Sequence, residues 1–329
     1  MMTLAAAPRA TGREFETPSE SRSSKLISPQ ALMAIKNLEL RARIVVEGFW
    51  HGIHRSPYHG FSVEFTEYRQ YSPGDDPRYL DWRLYARTDR FYIKKFEDET
   101  NLRCHLLVDH SRSMDYGSLH YTKAQYANTL AATLAYFLYL QGDAVGVLTF
   151  DEKIREYLPA RHRTGHLRRL MLQLEDPAGG SATDLAAPLK RIVEVVRKRS
   201  LMVMISDLLA PIETLEKHLT SLVACGHDVM LFHVLDPAEL TFNFDRAIMF
   251  RDVESGRDLF IDPATARKEY LKRLTAHNDA VLATCQRLGV AYRRFATDRA
   301  LELAMFDFLR ERMQRGKFTS RVARSRAGT

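Results

Sequence analysis

The sequence predicts an α/β protein: a doubly wound, mostly parallel sheet with helices on both faces, an inserted β-hairpin and a small appended N-terminal module. Three observations predict it. From Leu102 onward, short continuous apolar runs alternate with segments of helical periodicity, as strands buried on both faces and their crossover helices do. Between residues 247 and 262 that rhythm gives way to Ile-Met-Phe, a Glu254-Ser255-Gly256-Arg257 turn and Leu-Phe-Ile, the pattern of a hairpin. Upstream, residues 51–99 are aromatic, charged and rich in turn formers, unlike the alternating strands and helices beyond residue 101.

In chain order, residues 1–27 are rich in Ala, Ser, Thr and charge with no continuous apolar run, and read as a disordered tail rather than a signal peptide. Ser28 as N-cap and Pro29 at the first helical position open a helix that runs to Val46. The turn Ser72-Pro73-Gly74-Asp75-Asp76-Pro77 and the strand-like run Arg90 to Lys94 complete the N-terminal module, residues 28–100. In the main domain, residues 101–313, strands are expected at Leu102 to Val108, Ala144 to Phe150, Leu201 to Ile205, Asp228 to Val234 and Val290 to Phe295. Ala127, Leu130, Ala131, Leu134 and Leu138 share one helical face, and Gly142 lies just past that helix. Further helices are expected at Gly165 to Leu174, Leu185 to Arg197, Ile212 to Cys225, Ala264 to Leu288 and Arg299 to Met313, before a basic disordered tail at 314–329.

At 329 residues and 45% apolar content the chain can bury a substantial core. Its net charge of +7 is concentrated at one end, because residues 310–329 hold seven basic residues and one acidic, a net +6. A near-neutral body with a basic end argues against a nucleic-acid groove across the fold. Cys104, Cys225 and Cys285 are widely spaced, odd in number and form no C-x-x-C pair, which suits free thiols in a reducing compartment. The longest apolar stretch, Leu130 to Leu140, is too short to span a bilayer. A cytoplasmic protein without membrane insertion is expected.

The chemistry-bearing residues lie at strand ends. Asp109 directly follows Leu106-Leu107-Val108 and opens Asp109-His110-Ser111-Arg112-Ser113, while Asp207 follows the run Leu201 to Ile205 by one residue. Both carboxylates thus leave the carboxyl ends of buried strands, where open α/β sheets place ligand sites. A turning loop aims Asp109, Ser111 and Ser113 at one point, and Thr183, in Gly179-Gly180-Ser181-Ala182-Thr183-Asp184, approaches with Asp207 from other loops. Hydroxyls and carboxylates suit a hard cation, Mg²⁺ or Mn²⁺, which takes about six oxygens and keeps some waters. Two carboxylates and the hydroxyls leave a dication's coordination sphere partly filled by exchangeable waters, open to an acidic group from another molecule. That is binding chemistry rather than turnover.

This set resembles the metal-ion-dependent adhesion site of von Willebrand factor A domains. Phe61-Ser62-Val63-Glu64-Phe65, Arg69, Tyr71, Pro73-Gly74-Asp75-Asp76-Pro77-Arg78, Asp81-Trp82 and Ala86-Arg87-Thr88 narrow the match, over about residues 40 to 312, to a bacterial family. The chain is similar to domain-of-unknown-function family fifty-eight, whose members carry an A-type domain and commonly accompany MoxR-type AAA+ ATPases. The family usually shows a compact Gly-Gly-Thr-Asp, whereas Ser181-Ala182 intervenes here, so Ser181 competes with Thr183 as ligand. The acids of Gly74-Asp75-Asp76 read equally as a second ligand cluster or as a Pro-flanked turn.

Enzyme motifs are missing. There is no G-x-S-x-G, no G-x-x-x-x-G-K-[ST], no G-x-G-x-x-G and no H-E-x-x-H, and His51, His54 and His59 lack companions for a zinc set. Asp109 also lacks the second aspartate two residues on that an aspartyl-phosphate hydrolase uses. The resemblance therefore implies a non-enzymatic adaptor or co-chaperone that binds a MoxR-like ATPase and a client complex through Mg²⁺. The alternative is a metal-dependent phosphoryl or ester hydrolase using Asp109.

Overall fold

The computed structural model describes residues 26–54, 67–70, 85–87, 89–95, 102–177, 186–244, 248–251, 258–261 and 263–309. The expected N-terminal helix is two helices, α1 (Pro29–Met33) and α2 (Leu38–His54). Asn37 explains the break: its Oδ1 accepts from the Leu40 amide at 2.7 Å, a local N-cap that restarts the helix. Pro29 holds the first position of α1 as expected, but Ser28 makes no side-chain cap bond. Two short strands, β1 (Glu67–Gln70) and β2 (Tyr92–Lys95), pair antiparallel apart from the main sheet.

The main sheet contains β3 (Arg103–Asp109), β4 (Ala144–Phe150), β5 (Ile154–Arg161), β6 (Leu201–Ser206), β7 (Asp228–Leu235) and β10 (Ala291–Ala296). Its order is β10-β7-β6-β3-β4-β5, parallel throughout except that β5 runs antiparallel to β4 at the edge. Strand β5 carries Arg155, Glu156 and Pro159 and has one fully buried residue, Leu158, so it lacks the continuous apolar run that marks its neighbours. Gly146 on β4 lets β5 come close, since a Cβ there would lie 2.6 Å from the Leu158 carbonyl oxygen and the Ala160 amide. The expected hairpin is present as β8 (Ile248–Arg251) paired antiparallel with β9 (Asp258–Ile261).

Alternation along the strands divides the core into two layers. Leu106, Val108, Val203, Ile205, Phe232 and Val234 face one side, where α2, α3 (Lys123–Leu140), α4 (His166–Glu175) and the helix at 301–309 pack. Leu107, Leu148, Met202, Met204 and Leu231 face the other, against α5 (Ala186–Val195), α6 (Ile212–Ala224) and α8 (Pro263–Leu288). The centre of the first layer is α3, buried around most of its circumference between the sheet and α2. Phe49 of α2 meets Phe137 of α3 edge-on at 5.9 Å, so α2 shares the core of the sheet domain. Among the described residues no helix is long and apolar enough to cross a membrane, and the three cysteines are free.

The connections decide where a ligand can sit. From β3 the chain moves to β4 on one side, and from β6 it moves to β7 on the other, so the strand order reverses between β3 and β6. That reversal opens a crevice at the carboxyl ends of these two strands.

Candidate functional site

Asp109 is the last residue of β3 and Asp207 follows β6 by one, so the two carboxylates flank this crevice. Ser111 precedes, and Ser113 lies within, a 3-10 turn at Arg112–Asp115 that folds the loop back toward the strand end. Asp109 Oδ1 accepts from the Ser111 amide at 2.8 Å, and the Ser111 and Ser113 hydroxyls are 3.0 Å apart. Leu208 takes a left-handed conformation, φ +53°, turning the chain immediately after Asp207. Its amide donates to Ser206 Oγ at 3.0 Å, while the Leu209 amide reaches Asp207 Oδ1 at 3.4 Å.

The structure therefore brings together Asp109, Ser111, Ser113 and Asp207. Thr183 and its competitor Ser181 lie outside the described residues, as do Gly74-Asp75-Asp76 and His59. His51 sits on α2, exposed, bonded through Nδ1 to the Glu47 carbonyl at 2.7 Å. His110, between the predicted ligands, instead turns to Asn128, with Nε2 2.8 Å from Oδ1.

Four participants were not anticipated from the sequence. Ser206 donates its hydroxyl to Asp109 Oδ2 at 2.6 Å, tying β6 to β3 across the crevice. Lys123, at the start of α3, donates from Nζ to Asp207 Oδ2 at 2.9 Å and to Glu239 Oε1 at 2.7 Å. Glu239 belongs to α7 (Pro237–Thr241), where it and Asp236 form a capping box. Asp236 also accepts from the amide and hydroxyl of Ser118. The signal for the last two was legible, since Asp-Pro-x-Glu is an N-cap followed by a favoured first residue and a box partner. Lys123 gave none, because a lysine in a first helical turn normally reads as solvated.

Electrostatics distinguish the two carboxylates, both buried. Burial and then the neighbouring Asp207 charge push the Asp109 pKa up, against the hydrogen bonds from Ser206 and Ser111. Burial would raise Asp207 too, but Lys123, by charge and hydrogen bond, carries it below the usual carboxylate range. Lys123 in turn is raised despite burial, by Asp207 and Glu239.

The donor set fits a hard cation: it is all oxygen, two hydroxyls converge beside two carboxylates, and the mutual repulsion that raises Asp109 is what a dication relieves. Ser113 is only half-buried, whereas Asp109, Ser111 and Asp207 are buried, so access lies on the side of Ser113. Asp109 is a poor free nucleophile, with both oxygens engaged.

A six-stranded, mostly parallel sheet with one antiparallel edge and an oxygen-lined crevice at its switch point defines a doubly wound α/β domain. The chain belongs to the family described as "Protein of unknown function DUF58", whose model matches residues 67–280. It is similar to Uncharacterized protein Rv1480 of Mycobacterium tuberculosis, 31% identical over 277 residues, covering 82% of this chain and 86% of that protein. A protein of Mycobacterium avium, Uncharacterized protein MAV169, is 28% identical over 163 residues, covering 49% of this chain and 94% of that one. Among solved structures, the conserved hypothetical protein BatB of Bacteroides thetaiotaomicron matches at 13% identity and TM-score 0.44, over 65% of this chain and 99% of that one. The SpRpn10 VWA domain matches at 12% identity and TM-score 0.36, over 61% of this chain and 92% of that one.

Proposed function

We propose that this protein is a non-enzymatic, cytoplasmic adaptor or co-chaperone that holds partner proteins through a Mg²⁺ or Mn²⁺ ion bound by Asp109, Ser111, Ser113, Thr183 and Asp207. The observation that carries the reading is the meeting of Asp109 and Ser111-Ser113 from β3 with Asp207 from β6 at the switch point. The ion supplies an electrophilic position that an acidic side chain of the partner completes. The chain's own residues do the rest: the Asp109–Ser111 and Asp109–Ser206 bonds fix the loop and bridge the strands, and Ser113 lines the approach.

The family resemblance supports a MoxR-like AAA+ ATPase and its client complex as partners, with assembly or maturation of that complex as the task. A hydrolase reading is disfavoured because Asp109 is tied at both oxygens and sequence motifs offer no activated nucleophile. The experiment is co-purification of the ATPase with wild type, Asp109→Ala and Asp207→Ala, each with Mg²⁺ and with EDTA. Retention by wild type in Mg²⁺ alone supports the reading. Equal retention by all three proteins under chelation contradicts it.

A further inference from the structure

We infer that Lys123 is a built-in counter-cation that sets the divalent-ion affinity of the Asp109–Asp207 site, with Glu239 dividing its charge. The inference rests on the proposed metal binding and concerns how tightly that site holds its ion.

Nζ lies 2.9 Å from Asp207 and 2.7 Å from Glu239, and the three side chains are 0%, 0% and 17% exposed. The ammonium cannot swing into solvent. Its backbone opens α3, held by the Thr122–Gln125 capping box, and its head also stands 5.9 Å from the centre of the Tyr116 ring. Any dication that uses Asp207 therefore shares that carboxylate with a fixed positive charge. The arrangement gives no clear gain in stability, because a buried ion pair roughly breaks even against an apolar replacement.

Asp207 and Glu239 present two carboxylates to one ammonium. With Lys123 in place, Asp207 is ordered and neutralised before any metal arrives, and the ion is held weakly enough to exchange. Glu239 draws part of the ammonium's charge away from Asp207, so it works in the opposite sense. Glu239 also belongs to the turn that starts α7, and Asp236 of that turn binds Ser118 in the loop before α3. The tethered cation thus joins the loops after β3, β6 and β7.

Two substitutions separate this from a merely structural role, because they act in opposite directions. Lys123→Met removes the competing cation and should tighten Mn²⁺ binding by about tenfold or more, the floor set by Coulomb's law for a unit charge a few ångströms from a dication at water-like screening. Glu239→Gln leaves the whole ammonium charge on Asp207 and should weaken Mn²⁺ binding severalfold. The experiment is calorimetric titration of the full chain, wild type and both variants, with Mn²⁺, alongside thermal melts in EDTA and in Mn²⁺. Lys123→Met should melt lower than wild type in EDTA, where two buried carboxylates lack a cation, and recover more on adding Mn²⁺.

Tighter binding by Lys123→Met with weaker binding by Glu239→Gln supports the inference. If wild type binds and a folded Lys123→Met binds no more tightly, the inference fails while the metal site stands. If only Lys123→Met binds, the inference holds and the metal-dependent function of the wild type fails. If none binds, both fail. Should Lys123→Met not fold, Glu239→Gln decides alone, and unchanged or tighter binding overturns the inference.

Discussion

Asp109 and Asp207 place two negative charges in a buried crevice, and the protein treats them differently. Asp207 is compensated by Lys123, whereas Asp109 relies on the Ser111 amide and the Ser206 hydroxyl and is held above the ordinary carboxylate range. Removing Asp109 therefore relieves a repulsion as well as deleting a ligand. Asp109→Ala should abolish Mn²⁺ binding while altering stability by no more than about 2 kcal/mol in the absence of metal. Calorimetry with urea denaturation checks both halves, and equal Mn²⁺ binding by wild type and variant would remove Asp109 from the site. A second buried group sets a pH dependence. His105 on β3 is pushed down to about 4 by burial, then by His227 and Arg103, and its Nδ1 has no hydrogen-bond partner among the described residues. Its folded pKa lies below the unfolded value, so the unfolded chain takes up the extra proton. Stability is then complete above about pH 6.5 and falls as pH drops toward 4, by up to roughly 3 kcal/mol from this group. Urea titrations across that range should show the loss, and His105→Gln should lessen it without abolishing it, because burial also pushes His233 down to about 4.

The elements that position the site differ in how plainly the sequence announced them. Strands β3, β4, β6 and β7 are buried on both faces and are written as continuous apolar runs, so they and the carboxylates at their ends could be read directly. Strand β5 escaped because an edge strand with an exposed face needs no such run. The split between α1 and α2 escaped because Asn37 caps within an otherwise helical pattern. The start of α3 hides the most consequential feature. Thr122 and Gln125 form a capping box there, next to Lys123, the buried first residue of the helix. Thr122→Ala should cost about 1 kcal/mol by thermal or urea melt. Gly117 precedes this helix in a tight turn, where a Cβ would collide with the Tyr121 carbonyl oxygen and lie 2.9 Å from the Thr122 Cα. Gly117→Ala should displace the helix start and change Mn²⁺ affinity, whereas Gly142→Ala, in open space beyond the helix, should leave that affinity alone.

For the whole chain, the sheet topology sets the proposed site in a body of little net charge. The net charge of +7 lies almost entirely in residues 310–329, so the body that carries the crevice is close to neutral. Truncation after Leu309 should leave Mn²⁺ binding unchanged, and it should remove whatever salt-sensitive attraction to acidic surfaces the chain shows. Duplex binding lost on truncation would instead reopen a nucleic-acid role for that segment. The placement of the site at the reversal of strand order, between β3 and β6, follows from connectivity that no local motif encodes. The motif residues could be identified in the sequence, but their convergence depends on which strands become neighbours.

A divalent ion seated in the crevice is tested most directly by anomalous diffraction from crystals of the full chain grown with Mn²⁺. Such a site predicts one strong anomalous peak at coordination distance, about 2.2 Å, from the Ser111 and Ser113 hydroxyl oxygens, with Asp109 and Asp207 around it directly or through water. A peak elsewhere, or none there at Mn²⁺ concentrations well above the protein's, would contradict it.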